Sequence, residues 1–164
     1  MDALMQAMKN AMKAEVDSVT IYSEAALRAE GDVAEFFAAR AEEEKRHYNW
    51  LLQYYKELLG GHSPSTNVAA ELKGTAHPSS IFSQEFLRRV ASDRHLSAAV
   101  SSAVLLELNA TEHYRTMALQ AHEPHLKAFL NSLADWESRH YADLLKIQDE
   151  SRQYWFELQN FEPF

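Results

Sequence analysis

The chain contains no cysteine. Disulfides, thiolate catalysis, zinc–thiolate sites and cysteine-held iron–sulfur centres are therefore excluded. Glycine and proline are scarce, four of each in 164 residues, so few positions force the backbone to turn. No apolar run reaches the roughly 20 residues needed to span a membrane as a helix. Residues Met1 to Ala14 lack the apolar stretch of a secretory signal, and a cytoplasmic location is the expectation. No long basic block is present and the net charge is −8 with histidine neutral, which argues against nucleic acid as a partner. The acidic excess leaves two roles open, a solvated surface or a field that steers cations towards the protein.

What the chain does contain favours helices. Apolar residues make up 46 % of it, enough for the core of one domain over 1–164, and Ala, Leu and Glu are strong helix formers. Over residues 3 to 30, Leu4, Met8, Met12, Val16, Val19, Tyr22, Ala26 and Leu27 recur mostly at spacings of three and four, a helical stripe. Gly31 suits a helix end, and Asp32 with Glu35 has the spacing of a capping box for a second helix from about Val33 to Leu59. Residues 60 to 80 are rich in Gly, Pro and Ser and read as a loop. A short helix is expected at about Ser83 to Val90. Ser92 or Asp93 can then cap a third long helix running to about Gln120. Pro124 fits the first turn of a fourth, reaching about Arg152, and an aromatic tail follows over 153–164, open to reading as a last helical turn that packs on the bundle or on a second subunit. The layout is a hairpin at 3–59, a crossover at 60–93 and a hairpin at 94–152. A connection that long lets the helices it joins lie parallel, as the single crossover of a ferritin-like four-helix bundle requires.

The two hairpins resemble each other. Glu44-Lys45-Arg46-His47-Tyr48 aligns with Glu137-Ser138-Arg139-His140-Tyr141, and Leu51-Leu52 with Leu144-Leu145. Upstream, Glu15 stands seven residues before Tyr22, and Glu107 seven before Tyr114. Glu-x-x-His places a carboxylate and an imidazole on one helical face, about one turn apart. The levels also agree: Glu15 and Glu44 lie roughly 24 Å and roughly 20 Å along their helices from the turn at Gly31, and Glu107 and Glu137 flank a turn near Glu123 in the same way. Glu15, Glu44, His47, Glu107, Glu137 and His140 can therefore meet at mid-bundle. One Glu from each of two helices with Glu-x-x-His from each of the other two is the di-iron and di-manganese carboxylate pattern. Four carboxylates balance two divalent cations, and without metal they could not all stay ionised together. The donors suit iron first and manganese second. The bland alternatives are a bundle whose carboxylates point outward and a duplicated scaffold that has lost its metal.

Tyr22 and Tyr114 lie on the metal-facing stripe. Three roles are open to them: hydrogen bonding to a ligand carboxylate, carrying an electron, or packing as core aromatics. Arg46 and Arg139 are expected at the surface. So are His62, His77, His95, His113, His122 and His125, which lack partners at matched spacing.

At these residues the chain resembles the rubrerythrin family of the ferritin-like superfamily, over nearly its whole length. The resemblance implies Glu15 and Glu107 as terminal carboxylates, Glu44 and Glu137 as bridges between two iron ions, and His47 and His140 as ligands to one iron each. Two departures stand out. Typical members append a cysteine-rich rubredoxin domain, absent from a cysteine-free chain, so electrons would come from a separate rubredoxin-like protein or a small reductant. Typical members also carry a further Glu one turn after the third-helix ligand. Here that position is Ala110, with Thr111 beside it and Glu112 off the face.

Three functions follow as expectations. The first is an oxidoreductase that reduces hydrogen peroxide or dioxygen at a non-haem di-iron centre, in a homodimer. The second is iron binding, ferroxidase activity or iron delivery without turnover. The third is an interaction module that docks through its aromatic tail.

Overall fold

The structure is a computed structural model that describes residues 2–61 and 81–158. Among the described residues there are five helices and no strand: α1 (Asp2–Arg28), α2 (Gly31–Leu59), α3 (Gln84–Ser92), α4 (Arg94–Gln120) and α5 (Pro124–Leu158). The expected short helix and all four long helices are present, as an all-α bundle requires. Within the crossover residues 62–80 lie outside the described ones, His62 and His77 among them.

Pairing follows from side chains that meet across the bundle. Tyr22 donates to Glu107 and Tyr114 donates to Glu15, so α1 and α4 are antiparallel. Arg40 donates to Asp143 and His140 meets Glu43, so α2 and α5 are antiparallel as well. The α1–α2 and α4–α5 pairs are hairpins, which leaves α2 and α4 running parallel, the geometry of a bundle with one long crossover. α3 lies against α4 and α5 and reaches α2.

The local signals explain most boundaries. Ser83 Oγ accepts from the Phe86 amide at 3.0 Å and starts α3. Of the two candidate caps for α4 it is Asp93 that acts, taking the His95 and Leu96 amides at 2.7 and 3.3 Å. Glu123 does the same for α5, accepting from the Leu126 amide at 2.6 Å, with Pro124 as the first helical residue.

Three expectations are corrected. The buried face of α1 runs through Met8, Ala11, Glu15, Ser18, Tyr22 and Ala25, while Val16 and Leu27 are 47 % and 87 % exposed. The apolar stripe misplaced the face because two of its inward positions are polar. The Asp32–Glu35 box does not form. α2 begins at Gly31, two residues early, with Glu30 as a cap that makes no side-chain bond. Asp32 then sits inside the first turn and accepts from the Val33 amide at 3.0 Å, where the helix dipole favours its charge. Finally, α5 continues past residue 152 to Leu158. Tyr154 is buried with the Arg88 guanidinium 4.9 Å over its ring, so this part of the aromatic tail is helix packed on the bundle. Residues 159–164 lie outside the described ones.

The apolar core is in two parts. One gathers Met8, Leu51, Tyr54, Met117, Phe129 and Trp136. The other gathers Val33, Phe37, Phe86, Val90, Val100 and Ile147. The helices carry a layer of buried polar side chains between them.

Gly31 makes the first hairpin possible. Its φ is +57°, and a Cβ there would lie 2.8 Å from Arg89 Nη1. Gly31→Ala should destabilise the fold by about 1–2 kcal/mol through the left-handed backbone alone, a fall in Tm of roughly 2–8 °C, measurable by thermal unfolding.

Candidate metal centre

Each helix of the bundle delivers one part of the polar layer. α1 brings Glu15, α2 brings Glu44 and His47, α4 brings Glu107, and α5 brings Glu137 and His140. All six are at most 3 % exposed, so the arrangement with outward carboxylates is not the one this fold has. They form two overlapping groups, Glu15, Glu44, His47 and Glu137, and Glu44, Glu107, Glu137 and His140. Within each group the donor atoms all lie within 4.8 Å of one another. Glu44 and Glu137 belong to both groups, while each histidine and each remaining glutamate belongs to one.

The imidazoles face inward through Nδ1. His47 Nδ1 lies 2.8 Å from Glu137 and 3.3 Å from Glu44. His140 Nδ1 lies 3.0 Å from Glu44 and 3.3 Å from Glu137. Close as they are, these atoms are not aligned on one another as hydrogen bonds. The inward Nδ1 of each histidine, both oxygens of Glu137 and Oε1 of Glu44 are buried without a hydrogen-bond partner among the described residues. Buried polar atoms are almost always satisfied. Donors that converge on shared points instead of on each other form a group that could hold a cation. Carboxylate oxygen with imidazole nitrogen, and no sulfur, is a donor set for a transition metal of iron or manganese type.

The tyrosines bind Glu107 and Glu15 reciprocally. Tyr22 of α1 donates to Glu107 of α4, and Tyr114 of α4 donates to Glu15 of α1. Of the roles open to them, hydrogen bonding to a carboxylate of the cluster is the one the geometry has. Burial, then the nearby Glu107 charge for Tyr22 and the Glu15 charge for Tyr114, pushes both hydroxyls well above their usual range, so both stay protonated and act as donors.

Crowding shows in the other titrations. Burial, then the Glu137 and Glu44 charges, pushes Glu15 well above the ordinary carboxylate range. Burial and Glu44 do the same to Glu137 and bring Glu107 to about 7. Burial would also raise Glu44, but the imidazoles on either side outweigh it and hold Glu44 well below its usual value. Burial opposes charge on the imidazoles too. The carboxylates prevail, and His47 and His140 both rise to about 9. Protons thus take the place of cations where four buried carboxylates meet.

One group escaped the sequence reading. Glu43 Oε2 lies 3.0 Å from His140 Nε2 and accepts from Arg40 at 2.8 Å, and Arg40 also donates to Asp143 at 2.7 Å. Burial would raise Glu43, but contact with His140 and Arg40 holds it at about 2. The signal available was Arg40, Glu43 and His47 at helical spacing on α2. Its partners lie about a hundred residues away on α5, where no local pattern reaches.

The remaining candidates fall outside the cluster. Thr111 donates its hydroxyl to the Glu107 carbonyl at 2.8 Å, and Glu112, Arg46 and Arg139 are exposed. His95, His122 and His125 are exposed as expected. His113 is not. It is half-buried, with Nε2 3.0 Å from the Ala7 carbonyl, because it tucks under the N-terminal part of α1.

A sequence model of the rubrerythrin family matches residues 6–148, which include all six clustered residues and both tyrosines. Neither a curated protein nor a solved structure gives a significant match. With the family pattern present over most of its length, and a buried carboxylate–histidine cluster at the level that pattern requires, the chain belongs to the rubrerythrin family, a family of ferritin-like di-iron proteins.

Proposed function

We propose that the chain binds two iron ions through Glu15, Glu44, His47, Glu107, Glu137 and His140, and that it is an oxidoreductase reducing hydrogen peroxide or dioxygen. The observation that carries this reading is the sharing of Glu44 and Glu137 by two otherwise separate donor groups. Two such shared carboxylates suit a metal pair, and a single ion would leave half the donors without a role. Glu15 and Glu107 are then the terminal carboxylates.

A bound ferrous pair supplies two electrons, enough to take hydrogen peroxide and two protons to two waters. The protein's own contribution is orientation and charge. Tyr114 and Tyr22 fix Oε1 of Glu15 and of Glu107. The apolar clusters above and below exclude bulk water, which strengthens every electrostatic interaction inside the layer. The reading includes a cytoplasmic location, a homodimer, and re-reduction by a separate rubredoxin-like protein or a small reductant. Among the described residues, no helix is long and apolar enough to cross a membrane.

A second reading, iron binding or ferroxidase chemistry without turnover, is favoured by Ala110. One turn beyond Glu107 the chain offers a methyl group, and the Thr111 hydroxyl is committed to the backbone. Protein expressed in iron-rich medium should carry about two iron ions per chain on elemental analysis. Manganese in their place would revise the metal and keep the site. Reduced, anaerobic protein mixed with hydrogen peroxide should show a fast absorbance change in stopped flow. Iron bound without that change assigns the second reading.

Removing a shared ligand should affect both ions. Glu137→Gln is expected to lower affinity at least about 100-fold for the pair, beyond the effect of removing an outer contact, as read by calorimetric titration with manganese(II).

Metal must also displace protons. Both imidazoles have folded-state values near 9 against an ordinary 6.5, so their contribution to metal-free stability is full below 6.5 and disappears as pH rises through 9. Glu107, raised from 4.5 to about 7, acts in the same direction at lower pH. The metal-free protein should therefore lose thermal stability from about pH 6 to about pH 9. Added divalent ion should raise Tm more at the alkaline end, where fewer protons compete for the ligands.

A further inference from the structure

The two halves of the cluster are related by the repeat, but their surroundings are not. Positions 93 apart correspond on α2 and α5, which pairs Glu44 with Glu137 and His47 with His140. The same offset pairs Arg40 with Leu133, Glu43 with Trp136, and Trp50 with Asp143. Three polar residues behind His140 thus correspond in sequence to three apolar ones, of which Trp136 and Trp50 face the His47 ring.

The structure realises this asymmetry. His140 Nε2, the nitrogen facing away from the cluster, lies 3.0 Å from Glu43 Oε2. Glu43 is held by Arg40 at 2.8 Å, and Arg40 bridges to Asp143 on α5 at 2.7 Å, with its guanidinium 5.2 Å over the Phe36 ring. Arg40 and Glu43 are each 8 % exposed, so the chain of contacts is shielded from water. The carboxylates near His47 all lie against its Nδ1, and none stands on its Nε2 among the described residues. Its ring lies 5.6 Å edge-on to Trp136 and 5.7 Å from Trp50.

A carboxylate on the outer imidazole nitrogen fixes the tautomer. It keeps the proton on Nε2, leaves the Nδ1 lone pair pointing inward, holds the ring orientation and raises ligand basicity. We infer that Arg40, Glu43 and Asp143 form a positioning relay that makes the His140 metal position the tighter of two inequivalent positions and the first to fill. The inference rests on the dinuclear reading above. Glu43 touches no metal in it and acts through His140. The His47 position, walled by indoles, is the weaker one and the one from which an ion exchanges first.

Anaerobic titration of metal-free protein with cobalt(II) tests this, with the visible d–d bands and calorimetry as readouts. The wild type should fill in two steps, the first at least about 10-fold tighter than the second. Glu43→Gln should weaken the first step by about 10–100-fold, leave the second within a few-fold, and bring the two together. Glu43→Asp should recover part of the loss. His47→Ala should keep the tight step and His140→Ala should remove it, and this pair decides the matter even if Glu43→Gln does not fold. Two equal steps in the wild type, equal losses in the two histidine variants, or an unchanged first step in folded Glu43→Gln would overturn the inference while leaving the dinuclear site intact. No cobalt bound at all would instead overturn the dinuclear site.

Discussion

Four glutamates buried within a few ångströms of each other are the constraint on which this bundle is built. A carboxylate taken out of water costs several kcal/mol unless something compensates it, and here Glu15, Glu44, Glu107 and Glu137 are all enclosed. Compensation within the protein is partial. Two imidazoles, two tyrosine hydroxyls and retained protons cover some of the charge, and several ring nitrogens and carboxylate oxygens remain without partners. A cluster with that much unsatisfied polarity at the centre of a helical core is costly as pure architecture, and coherent as a cation site.

The rest of the fold exists around that layer. The two apolar clusters lie on either side of it and supply the burial that holds the helices together. The reciprocal Tyr22–Glu107 and Tyr114–Glu15 bonds tie α1 to α4 at the same height as the cluster. They link the duplicated halves to each other, so neither half completes the site alone. The histidine-bearing helices α2 and α5 are joined through Arg40, Glu43 and Asp143 on one side and meet through indole packing on the other. The duplication is thus near-exact for the inner donors and broken for the residues behind them.

The sequence made the inner donors legible because they sit on two copies of one pattern. Glu-x-x-His occurs at Glu44 and Glu137, each with a Glu at matched height on the preceding helix, and helical rise turns such spacing into position. Three features were less legible, each for a physical reason. The inward face of α1 passes through Glu15 and Ser18, so a stripe traced through apolar residues alone drifted onto exposed Val16 and Leu27. The start of α2 at Gly31 depends on a left-handed backbone at that residue, and glycine permits such a conformation on either side of a helix boundary. The Glu43–Arg40–Asp143 relay joins residues on helices far apart in sequence, and it has no counterpart in the other half to mark it by repetition.

The central claim is that two metal ions share Glu44 and Glu137, and anomalous diffraction from crystals grown with manganese(II) or iron(II) tests it most directly. The account predicts two anomalous peaks about 3.5–4 Å apart, both within bonding distance of Glu44 and Glu137, with His47 on one and His140 on the other. A single peak between the histidines, or peaks only at surface carboxylates with the buried layer unchanged, would contradict it.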